Sequence, residues 1–212
     1  MSSTAPEPAK DCTRCSRLVA FRNESISAHP DWFNGAVPSF GDENAQFLIV
    51  GLAPGLQGAH RTGRPFTGDY AGDLLYRTLA KFGWSQGTYR ADPEDGLVLK
   101  NCMITNAVRC VPPQNKPVGA EITECRPFLA NRMDALPDLR VVLALGRIAH
   151  DSIVRAAGLK LKDAPFGHAA RNDLGRNRIL IDSYHCSRYN TNTGRLTTEM
   201  FEDVFRAVAE EL

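Results

Sequence analysis

The sequence predicts an α/β fold, a three-layer α/β/α sandwich around a central four-stranded parallel sheet. Three observations lead there. Four short, continuously apolar runs are bounded by Gly or polar residues. Segments with the apolar spacing of helices lie between them. Loops rich in Gly, Asn and His follow three of the runs directly, where an open parallel sheet places its ligand loops.

Residues 1–10, rich in Ser, Ala and Pro, read as a disordered lead-in, and residues 11–212 as one domain, since a chain of 212 residues fills one core well and two poorly. The first run, residues 46–50, ends in Gly-Leu-Ala-Pro-Gly, a buried strand entering a tight loop. Residues 101–106, 141–145 (closed by Gly146) and 178–182 supply the other three. Residues 71–82 carry Leu74, Leu75 and Leu79 at helical spacing, and 122–133, 148–157 and 200–212 read likewise. Residues 32–41 and 86–96 read as surface loops without an assigned role.

Composition narrows the function classes. With 43% hydrophobic and 23% charged residues the chain is ordinary for a globular protein, and no apolar run approaches the ~20 residues of a membrane span. The start, MSSTAPEPAKDC, has no basic region before an apolar stretch, so a cytoplasmic protein with reduced thiols is expected, acting as a monomer. A net charge of +1 neither demands nor excludes a polyanionic partner.

Cys12 and Cys15 form a C-x-x-C, while Cys110 and Cys125 form a widely spaced pair. A zinc ribbon has short spacing in both halves, so an iron–sulfur cluster fits better. Spacing alone leaves zinc open, and also four unrelated buried thiols. Cys102 and Cys186 have no partner at ligand spacing and read as buried, reduced thiols.

Three loops concentrate chemistry. Residues 51–69, dense in Gly and ending on Asp69, allow close backbone approach to an anion or a flat ring. They lack the Gly-Lys-Ser/Thr ending of a phosphate loop, which disfavours a nucleotide hydrolase. Asn106 ends the second strand, where an amide can read a base edge, although a lone Asn also serves turns and caps. Residues 184–195 interleave basic, hydroxyl and aromatic side chains without one acid, as a loop gripping a nucleic-acid backbone requires.

Taken together, GLAPGLQGAHRTGRPFTGD (51–69), ITNAVRC with CVPPQNKP (104–117), ALGRIAH (144–150) and HCSRYNTNTGRLT (185–197), with the cysteines in the family's order, resemble the uracil-DNA glycosylases, specifically their type B or family 5 branch. The resemblance covers most of the chain. It implies a monofunctional enzyme that extrudes a nucleotide from DNA and hydrolyses the N-glycosidic bond of uracil, and of deaminated bases such as hypoxanthine, to begin base excision repair.

By that resemblance Gly51, Leu52, Ala53, Pro54 and Gly55 form the base pocket with Phe66, which stacks on the base, and Asn106, which reads its edge. His185 donates to the departing O2 oxyanion, and Asp69 orients or deprotonates water and offsets oxocarbenium charge. Asp69, His185 and Asn106 are the catalytic set. Arg61, Arg64, Ser187, Arg188, Asn190 and Arg195 are expected at DNA, with Thr193 a further phosphate contact. Cys12, Cys15, Cys110 and Cys125 would hold a 4Fe-4S cluster with a structural role.

Two departures stand out. Leu52 replaces the acid of the type A motif G-E-A-P-G, so water activation cannot sit there, and Cys186 stands where the family more often has Val or Pro. No lysine lies in the motifs to form a Schiff base, which points to hydrolysis without strand cutting. The rival readings are a non-catalytic iron–sulfur or zinc protein that binds nucleic acid, a relative that only recognises or is trapped on uracil-containing DNA, and a nucleotide-binding α/β enzyme.

Overall fold

The computed structural model describes residues 6–212. In chain order it contains α1 (Ser16–Ala28), β1 (Phe40–Gly41), β2 (Phe47–Gly51), α2 (Ala59–Thr62), α3 (Tyr70–Lys81), β3 (Ser85–Gln86), β4 (Val98–Leu99), β5 (Cys102–Asn106), α4 (Gly119–Ala135), β6 (Val141–Leu145), α5 (Arg147–Ala156), β7 (Arg171–Gly175), β8 (Arg178–Ser183), α6 (Arg188–Asn192) and α7 (Thr198–Glu211).

The main sheet runs β1-β5-β2-β6-β8-β7. Its four central strands are parallel, as expected, but antiparallel β1 and β7 extend it to six, so the sheet is mixed. β2, β5 and β6 are buried along their whole length, which is why they read as unbroken apolar runs.

Alternate residues of each strand serve opposite faces. Phe47, Ile49, Ile104, Leu143 and Ile181 pack on Leu75 and Leu79 of α3 and Phe201 and Phe205 of α7. Leu48, Val50, Met103, Val142 and Leu180 pack on Leu129 and Met133 of α4 and Ile153 of α5. These two cores on one sheet make the three layers. The parallel register sets Gly51 beside Asn106, and Leu145 beside Ser183, so the loops bearing Asp69, Asn106 and His185 all leave the carboxyl edge of the sheet.

Two expectations need correction. Of the expected disordered lead-in, residues 1–5 lie outside the described residues, but Glu7 is held in place: its carboxylate accepts from Arg109 Nη1 at 2.5 Å and from Arg132 Nε and Nη2 at 3.0 and 2.8 Å. Residues 32–41 are not a free surface loop, because Ala36 and Val37 are buried, Val37 N–H donates to Arg109 O at 2.7 Å, and β1 pairs with β5. Residues 86–96 do run largely exposed over the surface, as expected, with Asp95 buried among them. Helix α1 gave no clear amphipathic signal, since it buries Arg22 and Ser25 along with Leu18.

Candidate active site

Gly51 closes β2, and its missing side chain creates the site. A Cβ there would lie 2.5 Å from Asn106 Oδ1 and 2.6 Å from Phe66 Cζ, so only glycine lets both groups converge. Asn106 is buried, and its Oδ1 has no hydrogen-bond partner among the described residues. A buried amide oxygen without a partner costs free energy, and it sits in the wall of a cleft.

That cleft, about 290 Å³, is lined by Leu52, Ala53, Pro54 and Gly55, by Phe66, Asp69 and Tyr70, by Asn106 and Asn115, and by His185, Ser187 and Arg188. The Phe66 backbone is left-handed, with φ +54°, an uncommon conformation for a bulky residue. Its ring faces His185 with centroids 6.1 Å apart and planes inclined by 27°. The cleft thus offers a flat apolar surface next to an unpaired amide.

Asp69 caps α3: Oδ1 accepts from Gly72 N–H at 2.9 Å. Oδ2 turns towards Gly55 and Gly58, and a Cβ on Gly58 would approach it to 2.7 Å. Burial raises the Asp69 pKa, and the amides of Gly72 and Ala71 pull it partly back. The carboxylate therefore has one oxygen committed to the helix and the other turned towards the glycine loop.

His185 leaves β8 two residues after its end, and Asn190 Nδ2 donates to its carbonyl at 2.8 Å. Burial pushes its imidazole pKa down to about 4, so the ring is neutral at pH 7. A neutral imidazole can donate a proton-bearing nitrogen to a developing oxyanion while carrying no charge of its own.

The uracil DNA glycosylase superfamily model matches residues 38–209. The chain belongs to the uracil DNA glycosylase superfamily. It is 45% identical, over 91% of its length and 90% of the relative's, to a type-5 uracil-DNA glycosylase of Thermus thermophilus. A type-5 enzyme of Pyrobaculum aerophilum is 36% identical over 95% of this chain and 89% of its own, and a type-4 enzyme of Saccharolobus solfataricus 26% identical over 97% and 85%.

Within this superfamily chain, all eight expected pocket residues except Gly51 line the cleft, and Gly51 shapes its floor. Arg64, expected at DNA, is a correction: it is buried and bound bidentately to Asp95, both contacts 2.8 Å, with Nε donating to Thr67 Oγ1 at 2.7 Å. Asn190 spends its amide on the His185 carbonyl rather than pointing outward. Ser187 caps α6 and still lines the cleft. Arg188 lies 5.1 Å from the Tyr70 ring centre at the cleft mouth, Arg61 is exposed on α2, and Arg195 is exposed over Tyr184 at 4.7 Å. Thr193 turns its hydroxyl to Tyr189 O at 2.8 Å.

Sequence reasoning passed over Asn115. It enters the cleft from the loop between Cys110 and α4, where Gln114 and Asn115 are both left-handed at φ +57°. The signal was its place inside CVPPQNKP, but an Asn in a Pro-rich loop reads first as a turn.

Cys12, Cys15, Cys110 and Cys125 line one cavity with Leu18, Arg109 and Phe128. Among the described residues no three His, Cys, Asp or Glu side chains converge tightly enough for a single metal ion. Burial and mutual proximity push the Cys15 thiol up to about 11 and Cys110 to about 12. Cys102 and Cys186 are buried and free, as expected.

Proposed function

We propose that this protein hydrolyses the N-glycosidic bond of uracil in DNA, leaving an abasic site as the first step of base excision repair. The single observation that carries the reading is the buried, unpartnered Asn106 Oδ1 in the wall of a cleft that also holds Phe66, Asp69 and His185. An amide without a partner in the free protein awaits a ligand with a hydrogen-bonding edge, and an extruded base supplies one.

Phe66 supports the base face. Asn106 accepts from the base N–H, and its amide nitrogen can donate to a carbonyl. Neutral His185 donates to the O2 that gains negative charge as the bond breaks. The Asp69 carboxylate, held by the α3 cap, offsets positive charge on the sugar and orients the attacking water, and Asn115 adds a second amide where that water can be held. Arg188 at the mouth grips phosphate, with Arg61 and Arg195 on the flanking surface. The largely apolar lining by Leu52, Ala53 and Pro54 suits bases beyond uracil, including hypoxanthine.

The four cysteines fit a 4Fe-4S cluster. They surround a cavity rather than a point, and burial raises the thiol pKa of Cys15, Cys110 and Cys125, so that a cationic core would serve to hold these as thiolates. Bound there, the cluster would cross-link the amino-terminal segment, the Cys110 loop and α4. No step of base release passes through it.

The test is base release from matched oligonucleotides holding uracil, hypoxanthine or only normal bases, in chelator without added metal, with Asp69→Ala and His185→Ala beside the wild type. Release from uracil DNA that collapses in both variants supports the reading. A folded, brown protein that binds such DNA and releases nothing would instead be a non-catalytic iron–sulfur DNA-binding protein. Iron and sulfide analysis of the wild type against Cys110→Ser tests the cluster.

A further inference from the structure

The segment 64–69 carries both Phe66 and Asp69, and a left-handed phenylalanine is strained unless its surroundings hold it. What holds it comes from residues 86–96. The Tyr89 hydroxyl donates to Phe66 O at 3.1 Å and accepts from Gly68 N–H at 3.3 Å, closing the turn across Thr67 with one side chain. Its ring stacks on Tyr76, centroids 4.4 Å apart, and Tyr76 in turn donates to Pro65 O at 2.7 Å.

Two further contacts make the fit tight. A Cβ on Gly72 would lie 1.9 Å from Phe66 O and 2.8 Å from the Tyr89 hydroxyl, so the first turn of α3 packs directly on the same carbonyl. The loop bearing Tyr89 is fastened through Asp95, which binds Arg64 and also accepts from Arg90 N–H at 2.9 Å and Leu97 N–H at 3.0 Å. Tyr89 itself is absent from the cleft lining and cannot touch a base there.

We propose that Tyr89 is a positioning residue for base release: its hydroxyl fixes the Phe66–Asp69 turn, and the 86–96 loop exists at this site to deliver it. Loss of the hydroxyl leaves Phe66 O and Gly68 N–H without their partner and frees Phe66 to relax towards ordinary φ, which displaces the stacking ring and the start of the α3 cap together. The inference rests on the glycosylase reading above, in that its kinetic consequence is read as base release.

The experiment compares Tyr89→Phe with Thr78→Val, which also deletes a buried hydroxyl bond, but one closed within α3 onto Leu74 O at 2.8 Å. In Tyr89→Phe the single-turnover release of uracil should slow by about tenfold or more, as small misplacements of reacting groups do, while affinity for a duplex with an abasic-site analogue changes less than about twofold. Thr78→Val should lower Tm and keep the release rate. Amide exchange at Gly68 reads the clamp directly, rising about tenfold or more in Tyr89→Phe and not in Thr78→Val. Wild-type release in Tyr89→Phe, equal slowing in Thr78→Val, or unchanged Gly68 exchange would each overturn the proposal. A wild type that releases no base overturns the glycosylase reading instead, and Gly68 exchange then still decides the clamp.

Discussion

Asn106 and Phe66 close over the bare Cα of Gly51, with Asn106 Oδ1 and Phe66 Cζ 2.5 and 2.6 Å from where a Cβ would stand. Neighbouring parallel strands put Gly51 and Asn106 side by side, and the left-handed turn brings Phe66 onto them from a loop. Gly51→Ala should therefore displace both side chains. Base release is expected to fall about 100-fold, while the fold survives with a loss of about 1–3 kcal/mol, measured by single-turnover kinetics beside denaturant unfolding.

Asn106→Ala should separate activity from stability. The Oδ1 atom has no partner to lose in the free protein, so unfolding free energy should hold or rise, whereas deleting an ordinary buried hydrogen bond costs about 1 kcal/mol. Uracil release should fall steeply, because the base edge loses its reader. A stability loss comparable to that of an ordinary buried bond would mean that Asn106 is structural.

The two functions of Asp69 can be resolved by two substitutions. Asp69→Ala removes the α3 cap and should cost about 1 kcal/mol, whereas Asp69→Asn keeps an acceptor for Gly72 N–H and should cost little. Both should slow base release by about 10²–10⁴-fold, since neither supplies a carboxylate. Full activity in Asp69→Asn would remove the carboxylate from the mechanism.

The pH dependence has a definite sign. Base release needs ionised Asp69, whose pKa burial raises, so the rate should fall on the acid side starting above the ordinary carboxylate range. No inflection should appear near 6.5 from His185, which titrates at about 4. Stability follows from His60 and His185, both held at about 4 when folded against 6.5 when free. The unfolded chain binds those protons first, so the contribution of these two rings is complete above pH 6.5 and declines as pH falls towards 4, while His150, whose pKa is in spite of burial raised by its bond to Asp182, works in the opposite direction. Denaturant midpoints between pH 8 and 4 check this, and His60→Gln should flatten part of the decline.

Arg64 and Arg188 should behave in opposite ways. Arg64→Met leaves Asp95 buried without its cation and should cost about 3–5 kcal/mol of stability, with DNA affinity of the folded protein unchanged. Arg188→Ala should leave Tm within about 0.5 kcal/mol equivalent and weaken binding, reducing the salt slope by about one ion. Salt titrations of binding beside thermal melts distinguish the two.

The sequence by itself determined the four central strands. A strand buried on both faces must be largely apolar, and the runs at 46–50 and 141–145 could satisfy little else. It also singled out Asp69, Asn106 and His185, through the resemblance of the motifs that carry them to those of the uracil-DNA glycosylases. Helix α1 and the two-residue strand β1 stayed hidden: one buries charged and hydroxyl groups rather than an apolar stripe, and the other is too short to show a period.

Only the tertiary structure decided which charges are internal and which loops are fastened. Arg64 meets Asp95 across 31 positions, and Glu7 meets Arg109 and Arg132 across 102 and 125. Nothing in the local pattern around an arginine states whether its partner is a phosphate outside or a carboxylate inside. The same holds for Tyr89, 23 positions from the carbonyl it binds, and for Asn115, whose place in the cleft depends on how the cysteine loop is folded back. Local periodicity records burial along one element, whereas the pairing of polar groups is settled only when separate elements are brought together, since each buried donor and acceptor must then find a partner in whatever the fold places beside it.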